Sequence, residues 1–303
     1  MFQLESHQTL LDKIFEQKST NTLHHSFIFR VKDAILIDRF INSLCSILLD
    51  RKIEDYNDSA YITIANIDND EIKLAEVKKI IKNCELAGHN NGAKIIIIEK
   101  LELLNDSAAN ALLKTLEEPT ENTFFLMFTN DYHEILDTVK SRSLTYDIFF
   151  TEKDKINYLK YTFDMSEDAI AKSMRMARND VNIIAKIKLD AAFWQIRNHL
   201  VLTLVGQMSI RSLLKEVTPN YKEALYWLLS ILIDVYCVSL ELDESTLANY
   251  DRVSVIKHLA IKRRLDENFK LYKKALKAKE YFNNFKNVDK ELILENLLLE
   301  IVG

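Results

Sequence analysis

The chain has 303 residues, 48% of them hydrophobic and 28% charged, with 40 Lys plus Arg against 45 Asp plus Glu and a formal net charge of -5. That composition fits a globular protein of two or three domains. It excludes a chain that grips nucleic acid by bulk positive charge, so any such contact is local and shared with partners. Only four glycines (Gly88, Gly92, Gly206, Gly303) and two prolines (Pro119, Pro219) occur. This scarcity suits a helix-rich fold, and it leaves no glycine cluster for a loop that cradles phosphate. The three cysteines, Cys45, Cys84 and Cys237, are far apart and form no CxxC pair. Neither a disulfide framework nor a zinc site is indicated, and buried thiols in a reducing cytosol are expected. The start "MFQLESHQTL" lacks the basic and apolar parts of a signal peptide, and no apolar run reaches the length of a membrane span. A cytoplasmic protein with no membrane partner is expected.

In chain order, "SFIF" (26–29), "AYITIA" (60–65), "KIIIIE" (94–99), "TFFLMF" (123–128) and "LTYDIFF" (144–150) read as strands. Runs such as IIII and FFLMF are apolar on both faces, as buried parallel strands must be. Between them, "DAILIDRFINSLCSILL", "IKLAEVKKIIKNCELAG" and "DSAANALLKTLEE" carry helical periodicity. Alternating strands and helices predict a parallel sheet covered by helices. The third helix places Ala108, Leu112, Leu113 and Leu116 at spacings of three and four, with Asn105, Asp106 or Ser107 as its cap. Pro119 stops it. "DYHEILDTVK" (131–140) is read as a further helical pattern ahead of the last strand.

After residue 150 the strand pattern disappears. "EDAIAKSMRMARNDVNIIAKI" gives the clearest helices of a small unit. From "DAAFWQIRNHLVLTLV" onward, "YKEALYWLLSILIDVYCVSL", "VSVIKHLAIKRRLDENFKLYKKALKAKEYFNNF" and "DKELILENLLLEIV" predict a helical bundle. Pro219 marks a helix start.

Laid out in this order, the chain resembles the delta-prime family of bacterial DNA polymerase III clamp-loader subunits, which has the AAA+ fold. "LHHSFIF" (23–29) resembles the strand before the nucleotide loop. "IKLAEVKKIIKNCELAGHNNGAKIIIIEKLELLNDSAANALLKTLEEPTENTFFLMFTN" (72–130) follows the family's central block without interruption, and "LDTVKSRS" (136–143) resembles its Ser-Arg-Cys motif with Ser143 in the cysteine position. "NNFKNVDKELILENLLLEIV" (283–302) looks like the last collar helix. The resemblance implies a degenerate AAA+ α/β domain over 1–150, a small helical lid over 151–190, and an all-α collar for oligomerisation over 191–303. It also implies partners: the motor (gamma/tau) and delta subunits of the clamp loader, with the sliding clamp and primer-template DNA reached through the complex.

The departures from the family pattern carry equal weight. After "SFIF", active members have a Gly-rich loop ending in Lys-Thr, where this chain reads "RVKDAILIDRF". Val31, Ala34 and Leu36 stand at glycine positions, Ile37 at the lysine and Asp38 at the magnesium-binding hydroxyl. Such a loop works by wrapping backbone N–H groups around phosphates under a lysine charge. Here the cation is missing and a carboxylate takes the hydroxyl's place, so no nucleotide cofactor is expected. Where active members have an acidic pair for magnesium and water, this chain has Glu99 followed by Lys100. Thr129, at the γ-phosphate-sensing position, is expected to be a structural relic. The four-cysteine zinc module of many relatives is missing after the first helix, so no metal is expected.

The resemblance assigns Arg142, in Ser141-Arg142-Ser143, as an arginine finger acting in trans on a neighbour's ATP. Lys114 and Glu117 are read as a solvated pair three residues apart, or the helix start near Asn105 as a phosphate contact. His24 and His25 have no metal-spaced partner and are expected to pack at the strand entry. The expected function is a catalytically silent clamp-loader subunit. The alternatives are a stand-alone AAA+ ATPase, which the missing phosphate loop opposes, and a helical adaptor outside replication, which the LLKTLEEP–SRS block opposes.

Overall fold

The computed structural model describes residues 7–65, 67, 71–86, 93–284 and 288–302. The chain divides into two compact units, Met1–Met165 and Ser166–Gly303. In the first, α1 (Gln8–Ser19), β1 (Ser26–Val31), α2 (Ile37–Leu48), β2 (Ile62–Ile64), α3 (Leu74–Leu86), β3 (Lys94–Ile98), α4 (Asp106–Glu117), β4 (Thr123–Thr129), α5 (Asp137–Lys140), β5 (Leu144–Ile148) and α6 (Glu152–Phe163) follow in order. The five strands form one sheet in the order β2-β3-β4-β1-β5, and every pairing is parallel. All five expected strands are present.

The sheet is apolar on both sides because helices cover both. Ile28, Ile96, Ile98, Phe125 and Met127 pack with Val77 and Ile80 of α3 and with Ala108, Leu112 and Leu116 of α4. On the opposite face, Phe29 stacks on Phe128 at 5.0 Å and meets the edge of Phe40 from α2 at 5.3 Å. The α4 cap is Asn105, whose side chain accepts from Ala108 N at 2.8 Å. Three expectations shift locally. The stretch 131–140 is a 3-10 turn, Tyr132–Glu134, followed by the four-residue α5. Asp131 caps that turn by accepting from His133 N, and Ile135 and Leu136 are extended. α2 is preceded by a separate 3-10 turn, Ala34–Leu36. The last strand ends at Ile148, leaving Phe149 outside it and exposed.

The second unit contains α7 (Glu167–Met176), α8 (Val181–Leu189), α9 (Ala191–Leu204), α10 (Ile210–Val217), α11 (Tyr221–Ser239), α12 (Val253–Ile261), α13 (Leu265–Asn284) and α14 (Lys290–Val302). Its core joins Leu200 and Leu204 of α9, Leu228 and Ile231 of α11, Leu271 of α13, and Leu294 and Leu298 of α14. A fully buried cation runs through it. Arg197 lies over the rings of Trp194 and Trp227, at 4.8 and 5.3 Å. It donates to Asp251 Oδ1 at 2.6 Å and to Asn249 Oδ1 at 3.0 Å. A buried guanidinium is tolerated only with such pairing. The helical C-terminal region has the all-α character expected for it. No helix among the described residues is long and apolar enough to cross a membrane.

Candidate functional site

The carboxyl ends of parallel strands are where an α/β sheet ordinarily seats a ligand. Here β1 leads into Lys32-Asp33 and the 3-10 turn. Leu36 N–H donates back to the Asp33 carbonyl at 3.0 Å, so this donor turns into its own chain. Leu36 and Ile37, at the start of α2, are buried. Asp33 is also buried, in an ion pair with Lys155 Nζ of α6 at 2.7 Å. The turn is therefore held by apolar burial at one end and an ion pair at the other.

Asp38 and Glu99 come together across the top of β3, and Tyr56 joins them. The Tyr56 hydroxyl lies 2.6 Å from Glu99 Oε1 and 3.3 Å from Asp38 Oδ1, and the residue is only 4% exposed. A phenol has one hydrogen to donate, and the two carboxylates share it, with Glu99 at the shorter distance. Partial burial raises the pKa of Asp38. The Tyr56 hydrogen bond opposes that rise and the Glu99 charge adds to it. Tyr56 itself is pushed up, first by burial and then by its bond to Glu99. Two carboxylates bridged by a phenol repel a polyphosphate. Among the described residues no group of three His, Cys, Asp or Glu side chains is placed to hold a metal ion.

Thr129, at the end of β4, is buried and accepts from Asp131 N at 3.1 Å. Burial raises the carboxyl of Glu102, and nearby Thr129 offsets part of that rise. These are local structural duties. Cys45 lies inside the core, where burial pushes its thiol up to about 12. Cys237 is half-buried and raised for the same reason. The side chain of Cys84 lies outside the described residues.

The opposite end of the sheet is polar. Arg142 sits between α5 and β5, an edge strand. Its Nε donates to Glu117 Oε1 at 2.7 Å, Nη2 also meets that oxygen, and Nη1 donates to the Thr138 carbonyl at 2.8 Å and to Ser141 Oγ at 3.2 Å. The pair is partly open to solvent, with side-chain exposures of 31% for Arg142 and 49% for Glu117. Ser143 anchors the turn, its Oγ 3.1 Å from the Val139 carbonyl and 2.7 Å from Ser26 Oγ of β1. His25 Nε2 lies 2.7 Å from the Leu116 carbonyl, fastening the end of α4 beside β1, and His24 stacks on His25 at 4.5 Å. Both histidines pack at the strand entry, as expected. Glu117 turns to Arg142, 25 residues away. Tyr56 and the Glu117–Arg142 pair are the members of these two sites that the sequence did not single out.

A family model described as "DNA polymerase III, delta subunit" matches residues 6–151, and one described as "DNA polymerase III, delta subunit, C terminal" matches residues 191–302. The DNA polymerase III subunit delta' of Buchnera aphidicola (subsp. Schizaphis graminum) is 27% identical over 243 residues, covering 78% of this chain and 74% of that protein. Its counterpart from Escherichia coli K12 is 27% identical over 230 residues, 74% and 68% of the two chains. A DNA polymerase III subunit gamma from the same Buchnera is 33% identical over 90 residues, 29% of this chain and 25% of that protein. The solved structure of a DNA polymerase III, gamma subunit-related protein from Thermotoga maritima aligns with a TM-score of 0.51 at 17% identity, covering 98% of this chain and 99% of that one. At that identity the likeness is one of fold, and it agrees with the AAA+ architecture. The two matched segments, the relatives alike along most of their length, and the shared fold place the chain in the delta-prime subunit family of DNA polymerase III.

Proposed function

We propose that this chain is a subunit of a clamp loader that binds no nucleotide itself and lends Arg142 to the ATP site of a neighbouring subunit. The observation that carries this reading is the contrast within one domain. The would-be phosphate loop is a closed turn ending in buried Leu36 and Ile37, whereas Arg142 is kept by polar partners at a solvent-accessible edge. A guanidinium stays charged and presents a planar fork to phosphate oxygens, which lysine does not reproduce. To reach a neighbour's phosphates, Arg142 exchanges its exposed Glu117 contact for a second anion. Ser141 and Ser143 set the turn that carries it.

In this reading residues 1–150 form the silent AAA+ domain, 151–190 the lid and 191–303 the collar. The collar holds the subunit in a ring beside the motor (gamma/tau) and delta subunits, and acts on the sliding clamp and primer-template DNA through them, in the cytoplasm. α14 supports an interface role. It buries Leu294, Leu297, Leu298 and Ile301 but leaves Leu292 and Leu299, seven residues apart, more than half exposed. Such an apolar flank calls for a partner surface.

The test is Arg142→Ala in a reconstituted loader, with assembly checked by gel filtration and clamp- and DNA-stimulated ATP hydrolysis measured. A trans arginine is worth roughly 10³–10⁵ in phosphoryl-transfer rate in the best cases. The loss in the whole complex is smaller, because only the adjoining site depends on this subunit. Arg142→Lys behaves like alanine. Undiminished hydrolysis in correctly assembled Arg142→Ala complexes would reduce Arg142 to a surface arginine tied to Glu117.

A further inference from the structure

The acidic average of the chain conceals a local reversal in the second unit. Between residues 262 and 279 eight cationic side chains face two acidic ones, in a protein whose net charge is -5. The helix sorts them. Leu271, Ala275 and Ala278 of α13 are buried, while Lys270, Lys273, Lys274 and Lys277 are exposed. Positions i, i+3, i+4 and i+7 lie on one face, so the four ammonium groups form a single stripe. Tyr281 continues it, 37% exposed, with Lys277 5.7 Å from its ring. Beside the stripe a groove of about 800 Å³ opens between α13 and the end of α14, lined by five cations and two carboxylates, Glu267 and Glu300.

We propose that this basic stripe and groove bind the phosphate backbone of single-stranded nucleic acid. Three features favour that occupant over an acidic protein or a duplex. Interfaces between proteins are depleted in lysine and anchored by aromatic residues and arginine, whereas lysine is a sufficient point-charge ligand for phosphate. A groove of this volume admits a few nucleotides of one strand and not a double helix. An exposed aromatic in line with the cations is the arrangement on which single-stranded bases stack. The existing ion pairs, Lys270 with Asp266 and Lys274 with Glu300, are exposed, and pairs of that kind are weak enough for phosphate to displace. The stripe lies in the second unit and uses none of the residues around Arg142.

The experiment is fluorescence anisotropy of the full chain with a labelled mixed-sequence 20-mer, single-stranded or duplex, from 50 to 200 mM salt. From Lys270 to Tyr281 the stripe runs roughly 16 Å at 1.5 Å per residue. Its four lysines can neutralise about four phosphates. The expected slope of log affinity against log salt is therefore about -3 for a single strand, at ~0.7 per phosphate. The triple substitution Lys270→Glu, Lys273→Glu, Lys274→Glu lowers affinity at least tenfold and flattens the slope. Far-UV circular dichroism stays unchanged, because all three side chains are exposed. Equal binding by the triple variant, tighter binding of the duplex, no binding at 50 mM salt, or equal competition by a polyglutamate peptide would each overturn the proposal. The last outcome would reassign the stripe to an acidic protein.

Discussion

The two ends of the parallel sheet in the first unit have separate chemistry. At the carboxyl ends of β1, β3 and β4, where a ligand would ordinarily sit, the chain has filled the space with its own groups. Leu36 and Ile37 are buried, Tyr56 bridges Asp38 and Glu99, and Thr129 is bonded to Asp131. At the amino ends, the Ser26–Ser143 and His25–Leu116 contacts fasten a turn that leaves a charged arginine in reach of solvent. The carboxyl end is packed as a core, and the end that carries Arg142 is built from polar contacts.

The largest effect should come from emptying the packed end. Phe40 is fully buried and meets Phe29 at 5.3 Å and His7 at 5.3 Å. Phe40→Ala removes a large apolar group from a site that cannot collapse readily, and should cost about 3–5 kcal/mol, read by urea unfolding of the chain. A loss below about 1 kcal/mol would mean that this end is loosely filled and open to a ligand.

Next in size is Tyr56→Phe, which deletes the hydroxyl between the two carboxylates while keeping the ring. The cost should be about 1–3 kcal/mol, the range for leaving partly buried acceptors unpaired. It should also depend on pH. Burial raises the Asp38 carboxyl, so the folded chain keeps its proton at a pH where the unfolded chain has released it. Stability from this group is therefore greatest at low pH and declines as pH rises through the folded pKa. The Tyr56 bond restrains that decline by favouring the carboxylate. Removing it should cost more at pH 7 than at pH 4, and urea midpoints at the two values provide the check.

At the other end, Glu117→Gln should be mild. The Glu117–Arg142 pair is part-exposed, and such pairs contribute about 0.2–1 kcal/mol, less at high salt. A cost above about 2 kcal/mol in the same unfolding assay would make Arg142 a structural tie, not a side chain that can be redirected toward a neighbour.

How far this contrast was legible in the sequence follows from the distances involved. Ile95–Ile98 and Phe125–Phe128 announced buried parallel strands, and Asn105, Leu112 and Leu116 announced a capped amphipathic helix, because those signals lie within a few residues of one another. Tyr56 carried no such signal. It sits in "KIEDYNDSAYI", which has neither period, and its partners are 18 and 43 residues away. The same reason hid the partner of Glu117. Local pairing rules select Lys114, three residues back, but the packing of α4 on the sheet brings Arg142 within reach. Residues 131–140 misled in the opposite sense. Their apolar spacing suits a helix, yet Asp131 diverts the backbone by capping a short turn. Ile37 and Asp38 were named from the sequence by their side-chain chemistry, and the structure places them as a buried apolar residue and a carboxylate within reach of Tyr56.

The smallest expected effect is none, and it tests the filled end directly. Adding 1 mM MgATP should leave the thermal midpoint of the chain unchanged. A ligand that binds only the folded state stabilises it by RT ln(1 + [L]/Kd), which is about 4 kcal/mol when the ligand stands a thousandfold above its Kd. For a domain of 150–250 residues about 1 kcal/mol moves the midpoint by roughly 2–4 °C. Micromolar binding would therefore raise the midpoint by on the order of 10 °C, far beyond the scatter of a melting curve. The reason to expect no shift is structural as well as chemical. Leu36 N–H is bonded to the Asp33 carbonyl, Asp33 and Lys155 hold each other, and Ile37 is buried where the cation would stand. Binding the β- and γ-phosphates would require breaking that turn and bringing anionic charge beside Asp38 and Glu99. A midpoint that climbs with MgATP but not with magnesium alone would show that this end of the sheet still opens, and the contrast between its two ends would fail.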